Sequence, residues 1–142
     1  MTLADTVKDD LTAAMKAGEK SRVGALRLVL SELQKAAKSG SDDEQAVLRR
    51  ERKRRLESAT AFRDAGRDEL AEAEESEADI ISAYLPAELS DDDLRAIVRD
   101  AVAESGATSP RDMGKVMQLA MPKAEGRADG KRVSALVKEA LT

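Results

Sequence analysis

The chain has 142 residues, 42% hydrophobic and 37% charged, with one Tyr, one Phe and no His, Cys or Trp. This inventory excludes disulfides, thiolate nucleophiles, thiolate metal sites and histidine bases, and it points to an aliphatic core in a helix-rich protein. A formal net charge of -4 excludes a uniformly basic nucleic-acid binder while leaving room for local patches.

Thr2 with Asp5 reads as a capping box opening a first helix. Leu3, Val7, Leu11, Ala14 and Met15 then recur at helical spacing, and Gly18 closes the helix. A second helix carries Val23, Leu26, Val29, Leu30, Leu33 and Ala37 on one face and ends near Gly40. Ser41 with Glu44 repeats the capping-box pattern and starts a third helix through Val47, Leu48, Leu56, Ala59 and Phe62 toward Gly66. The fourth is predicted from about Asp68 to Tyr84 on Leu70, Ala73, Ile80 and Ile81, with Pro86 as its stop. Beyond Pro86 the segments shorten. Ser90 and Asp93 start a helix bearing Leu94, Ile97, Val98, Ala101 and Val102, closed by Gly106. Ser109-Pro110 starts the next, with Met113, Val116, Met117 and Ala120 inward and Pro122 limiting its end. The last runs from Asp129 or Gly130 through Val133, Leu136, Val137, Ala140 and Leu141. No segment alternates with the two-residue period of a strand. The expected fold is all-α: an N-terminal domain of about four helices, 1–86, and a C-terminal three-helix bundle, 87–142.

Candidate chemistry is sparse. Arg49, Arg50, Arg52, Lys53, Arg54 and Arg55 could hold a phosphate backbone, but the acidic run Asp68, Glu69, Glu72, Glu74, Glu75 and Glu77 on the next helix favours an internal charge match. Gly126-Arg127-Ala128-Asp129-Gly130-Lys131-Arg132 fails as a phosphate-binding Walker loop. Its glycines are one residue too close, Arg132 stands where Ser or Thr belongs, and no strand precedes it. Two readings of that segment stand level: backbone N–H groups at the helix start beside Arg127, Lys131 and Arg132 hold an RNA phosphate, or Asp129 itself caps the helix. Gly114 inside a helix points to close packing ahead of close approach by a ligand backbone, and Met113, Met117 and Met121 to core filling ahead of a Met-lined groove. Ser134 and Lys138 have the spacing of a helical dyad, but no cleft or oxyanion hole accompanies them, so no catalytic residue, cofactor or metal is expected. The N-terminus lacks a basic region before an apolar run, and no stretch of about 18 apolar residues occurs. A soluble cytoplasmic chain, monomeric and without a membrane partner, is the expectation.

Glu77-Ala78-Asp79-Ile80-Ile81, Tyr84-Leu85-Pro86, Leu89-Ser90, Asp112-Met113-Gly114-Lys115-Val116-Met117 and Gly126-Arg127-Ala128-Asp129-Gly130-Lys131 together resemble the YqeY-like proteins of the GatB/YqeY family. The likeness runs over essentially the whole chain. It extends to the tail of the GatB subunit of the tRNA-dependent amidotransferase, through Gly114 to Met117 and Lys123 to Leu141. Asp129-Gly130 stands where that tail usually has Asn-Pro, and the connection around Met121 to Glu125 is longer. The resemblance implies a noncatalytic tRNA-binding or tRNA-metabolism accessory module, with Lys115, Lys123, Arg127, Lys131 and Arg132 facing RNA. Two further implications are a protein–protein adaptor for an amidotransferase or translation component, and a carbon–nitrogen ligase with glutamine as amido donor. The chain resembles only the tail, with no counterpart of the kinase and transamidase domain, which ranks the ligase last.

Overall fold

Capping chemistry written into the sequence sets most helix ends. Thr2 Oγ1 accepts from the Asp5 N–H at 3.1 Å while the Asp5 carboxylate accepts from the Thr2 N–H at 3.1 Å, which opens α1, Leu3–Ala17. Gly18, at φ 72°, takes the left-handed conformation that ends it. Further on, α2 spans Lys20–Lys38, α3 Glu44–Asp64, α4 Asp68–Ser82 and α5 Asp91–Ser105; a short 3₁₀ turn, Pro110–Asp112, leads into α6, Met113–Ala124, and α7 is Gly130–Leu141. The computed structural model describes residues 1–41 and 43–142, and none of them lies in a strand. The protein is all-helical.

Three expectations about helix ends change once the chain is folded. Asp43, not Ser41, caps α3, accepting from the Ala46 N–H at 3.0 Å. Glu44 turns away from its own helix start, and its two carboxylate oxygens accept from the Leu3 and Ala4 N–H groups at 3.0 and 2.8 Å. Those are amides of the first turn of α1, which lack intrahelical acceptors, so a carboxylate there also meets the positive end of the helix dipole. Pro122 does not stop α6, which continues to Ala124. In the last turn proline removes only one donor to the preceding turn, and the helix closes through a tightened bond from Glu125 N–H to the Pro122 carbonyl at 3.2 Å.

The chain divides into two compact units, Met1–Pro86 and Ala87–Thr142. In the first, α1 packs on α2 and α3 on α4, around Val7, Leu26, Val29, Leu33, Leu48 and Ile81. Each such buried aliphatic side chain contributes about 1.5–3 kcal/mol relative to exposure. The free half of the α3–α4 hairpin is held differently. Ala59 and Ala71 are buried there, while Leu56 and Leu70, expected on inward faces, are 46% and 39% exposed. Small side chains let the helices approach, and ion pairs flank the seam: Arg63 reaches Glu75 at 2.6 Å and Asp68 at 3.6 Å. At the other end of α4, the Tyr84 hydroxyl donates to Asp10 of α1. Burial and that acceptor push the phenol above its ordinary value of 10.0.

The second unit closes α5, α6 and α7 around Leu94, Val98, Ala101, Val116, Ala120, Val133 and Val137. Ser90 Oγ accepts from the Asp93 N–H at 3.1 Å to start α5, and Gly106, at φ 71°, ends it. Met113 and Met117 pack against this core as expected, but Met121 is 37% exposed. Gly114 is likewise not a packing position, because a Cβ built on it meets nothing within 4 Å.

Candidate nucleic-acid interface

Between α6 and α7 the chain reverses through Glu125 and Gly126, both left-handed at φ 52° and 73°. Glycine suits the second of these; at the first, a side chain bears the strain. Arg127 N–H then donates to the Ala124 carbonyl at 2.8 Å, Ala128 is buried, and Asp129 caps α7 by accepting from the Arg132 N–H at 2.9 Å. The chain's own carboxylate therefore occupies the anion position at this helix start, which favours the capping reading of the segment.

Two of the five proposed RNA-facing cations are engaged by the segment that leads into α5. Arg127 Nε donates to the Ala87 carbonyl at 2.8 Å, and the Arg127 carbonyl accepts from the Leu89 N–H at 2.8 Å. Arg132 Nη2 donates to the Leu89 carbonyl at 2.8 Å and to Asp91 Oδ1 at 2.9 Å, with Glu88 3.8 Å from Nη1. These two arginines strap the turn to residues 87–91, a fold-holding task that sequence reading missed because the partners lie about 40 positions away. Lys123 pairs with Glu104 at 3.1 Å, with both side chains substantially exposed. Such a pair is worth about 0–1 kcal/mol and opens readily.

Lys115 and Lys131 differ from the other three. Both are exposed, and neither forms an ion pair among the described residues. Each sits in the first turn of its helix, where the dipole end is positive and neither helix carries an acidic residue. A cation there is disfavoured by about 0.3–1 kcal/mol. The α6 start is eased by Asp112, whose carboxylate accepts from the Thr108 N–H at 3.0 Å; backbone hydrogen bonds from Thr108 and Ser109 hold it below the ordinary 3.8, with Lys115 adding to the effect. The two lysines belong to the starts of different helices, Lys115 to α6 and Lys131 to α7.

Charge is segregated in this unit. Residues 111–142 carry seven Lys or Arg against four Asp or Glu, whereas residues 87–110 carry two against six. Ser134 is half-buried, Lys138 is exposed, and no hydrogen bond joins them. Among the described residues no cluster of three or more acidic side chains is placed to hold a metal, and no helix is long and apolar enough to cross a membrane.

Fold and site define an all-helical protein of two compact units, the second carrying a cation-rich helical hairpin. The chain belongs to the YqeY-like protein family, whose model matches residues 4–141. No curated protein matches it.

Proposed function

We propose that this chain is a noncatalytic accessory module of tRNA metabolism that meets tRNA through the α6–α7 hairpin of its second unit. The observation that carries the reading is the pair Lys115 and Lys131, two exposed cations in the first turns of α6 and α7 that form no salt bridge among the described residues. Exposed cations that take no part in holding the fold are free for a role outside it. Lys123 joins them once its exposed pair with Glu104 opens, while Arg127 and Arg132 serve the site by holding the turn that displays Lys131. Resemblance to the GatB tail supplies the ligand class, and the chain is taken to act as a monomer in the cytoplasm.

A shallow groove between α5 and α7 supports the adaptor reading as an alternative. Val98 and Leu136 line it between Asp92, Arg95, Arg99 and Glu139, with a volume of about 360 Å³. The implied ligase activity would appear as glutamine turnover by the purified chain.

The test is binding of unfractionated tRNA across a salt series by the parent chain and by the Lys115→Gln/Lys131→Gln variant. Expected is saturable binding that weakens with salt, with a log–log slope smaller by roughly 1.4 to 1.8 in the variant. Equal slopes would remove both lysines from the interface. Partner capture insensitive to nuclease and to these substitutions would favour the adaptor.

A further inference from the structure

A second cationic surface lies on α3, in the first unit. Arg50, Lys53 and Arg54 stand at i, i+3 and i+4, which places them on one ridge of the helix, and all three are exposed. The internal charge match expected for the basic run accounts for only part of it. Glu51, the one acid within the run, points inward and is 4% exposed; Arg54 reaches it at 2.9 Å and Arg55 at 3.5 Å. Four of the seven acids of α4 are taken up along the seam, where Glu74 and Glu77 lie 3.5 and 3.6 Å from Arg55 while Glu75 and Asp68 engage Arg63; Glu69, Glu72 and Asp79 form no ion pair among the described residues. At the start of α3, Asp43 caps its own helix and Glu44 reaches α1. On α3 itself Glu57 lies one turn beyond Lys53, and no ion pair joins the two among the described residues. The outward face therefore keeps the positive charge that the sequence distributes around the whole helix.

We propose that this ridge is a phosphate-backbone contact face, on which Arg50, Lys53 and Arg54 grip successive phosphates of an RNA strand. Like charges one turn apart repel in the free protein, and a polyanion relieves that repulsion on binding. Two of the three cations are arginines, whose planar forks match phosphate oxygens in pairs. Carboxylates on flexible peptide stems offer no such regular array, which favours a nucleic acid over an acidic polypeptide. The ridge itself bears no aromatic side chain to stack a base: Tyr84 is bonded to Asp10, and Phe62 is half-buried more than a turn further along α3. Recognition is of the backbone alone and is indifferent to tRNA identity. This face stands on the first unit and does not require the lysines of α6 and α7.

The experiment uses full-length Arg50→Gln/Lys53→Gln protein, leaving Arg54 in place because it holds buried Glu51. Lys8→Gln/Lys16→Gln on α1 serves as the charge-matched control, and thermal melts confirm that each variant folds. In a salt series with unfractionated tRNA, the ridge variant should lose affinity several-fold and show a slope smaller by about 1.4 to 1.8, with the control unchanged. A ridge variant that matches its control overturns the proposal, whatever Lys115→Gln/Lys131→Gln does. If only the α6–α7 variant weakens binding, the proposed function stands without this face; if only the ridge variant does, the reverse holds. Failure of the parent chain to bind tRNA overturns both. Weakened binding to poly-glutamate with tRNA binding intact would assign the ridge to an acidic polypeptide and overturn the RNA assignment.

Discussion

Replacing Glu44 with Ala should destabilise the first unit by about 2 kcal/mol, although Glu44 opens a different helix from the one it caps. Its carboxylate accepts from two amides of α1 at 3.0 and 2.8 Å in a part-buried setting. Hydrogen bonds to charged groups contribute about 1.5–3 kcal/mol each in net terms, which would give an upper figure of roughly 3–6 for the pair. Two facts lower it. The Thr2–Asp5 box continues to hold the same turn, and amides at a helix end can be rehydrated once the carboxylate is gone. Loss of a side-chain cap measures about 0.5–2 kcal/mol, and the upper end of that range suits a two-bond, long-range cap. Ser41→Ala supplies the contrast. A local Ser41–Glu44 capping box would make that substitution cost about 1 kcal/mol, whereas the folded chain predicts a change within about 0.5. Asp43→Ala, which removes the cap that α3 does use, should cost about 1 kcal/mol and calibrates the series. Urea unfolding followed by circular dichroism, at a common denaturant slope, gives the comparison, and amide exchange at Leu3 and Ala4 localises it. A Ser41→Ala cost equal to that of Glu44→Ala would refute the long-range cap and restore the local one.

Tyr84 is the single tyrosine, so its titration can be followed by phenolate absorbance without interference. Because burial and the Asp10 acceptor raise its folded value above 10.0, the stability it confers is fully present below that pH and is lost as pH rises further. Phenolate should therefore appear well above the ordinary value in folded protein, and a simple titration at that value would contradict the Tyr84–Asp10 hydrogen bond. Arg132→Ala should cost the second unit about 1–2 kcal/mol through loss of its Leu89 and Asp91 contacts, while Lys131→Ala beside it should change stability by no more than about 0.5. Denaturant midpoints that move equally for the two would show that Arg132 is no strap. Gly114→Ala should stabilise α6 by about 0.5–1 kcal/mol, since the added methyl meets open space; a lower melting temperature would reveal a neighbour missing from the folded chain.

Much of the fold is legible in the sequence because its signals are local. Thr2, Ser90 and Asp129 each cap through a backbone amide three residues away, and Gly18 and Gly106 end their helices through their own φ. Both need nothing but neighbouring chain. Helical periodicity likewise identifies Leu26, Val29, Leu33, Val98, Val116 and Val137 as core, since one face of a helix must leave water. Leu56 and Leu70 show where that rule fails, because periodicity marks a face but cannot supply a partner for it. At the tip of a two-helix hairpin, alanines close the seam and the larger side chains remain at its margin.

Charge was the part that sequence could count but not assign. The run from Arg49 to Arg55 and the acids after Asp68 are visible as blocks, yet only packing of α3 on α4 turns Glu51 inward, gives Arg55 to Glu74 and Glu77, and leaves Arg50 and Lys53 outside. The same holds for the five cations of the second unit. Arg127 and Arg132 reach backward 40 and 43 residues to bind the chain before α5, while Lys115 and Lys131, of identical formal charge, face solvent. By itself the sequence determined an all-helical chain, most of its helix ends, its apolar faces and its family. Tertiary structure alone decided which charges hold the fold and which remain for a partner, because an ionic or hydrogen-bonding contact depends on distance in space, and at separations of some 40 residues the sequence does not specify that distance.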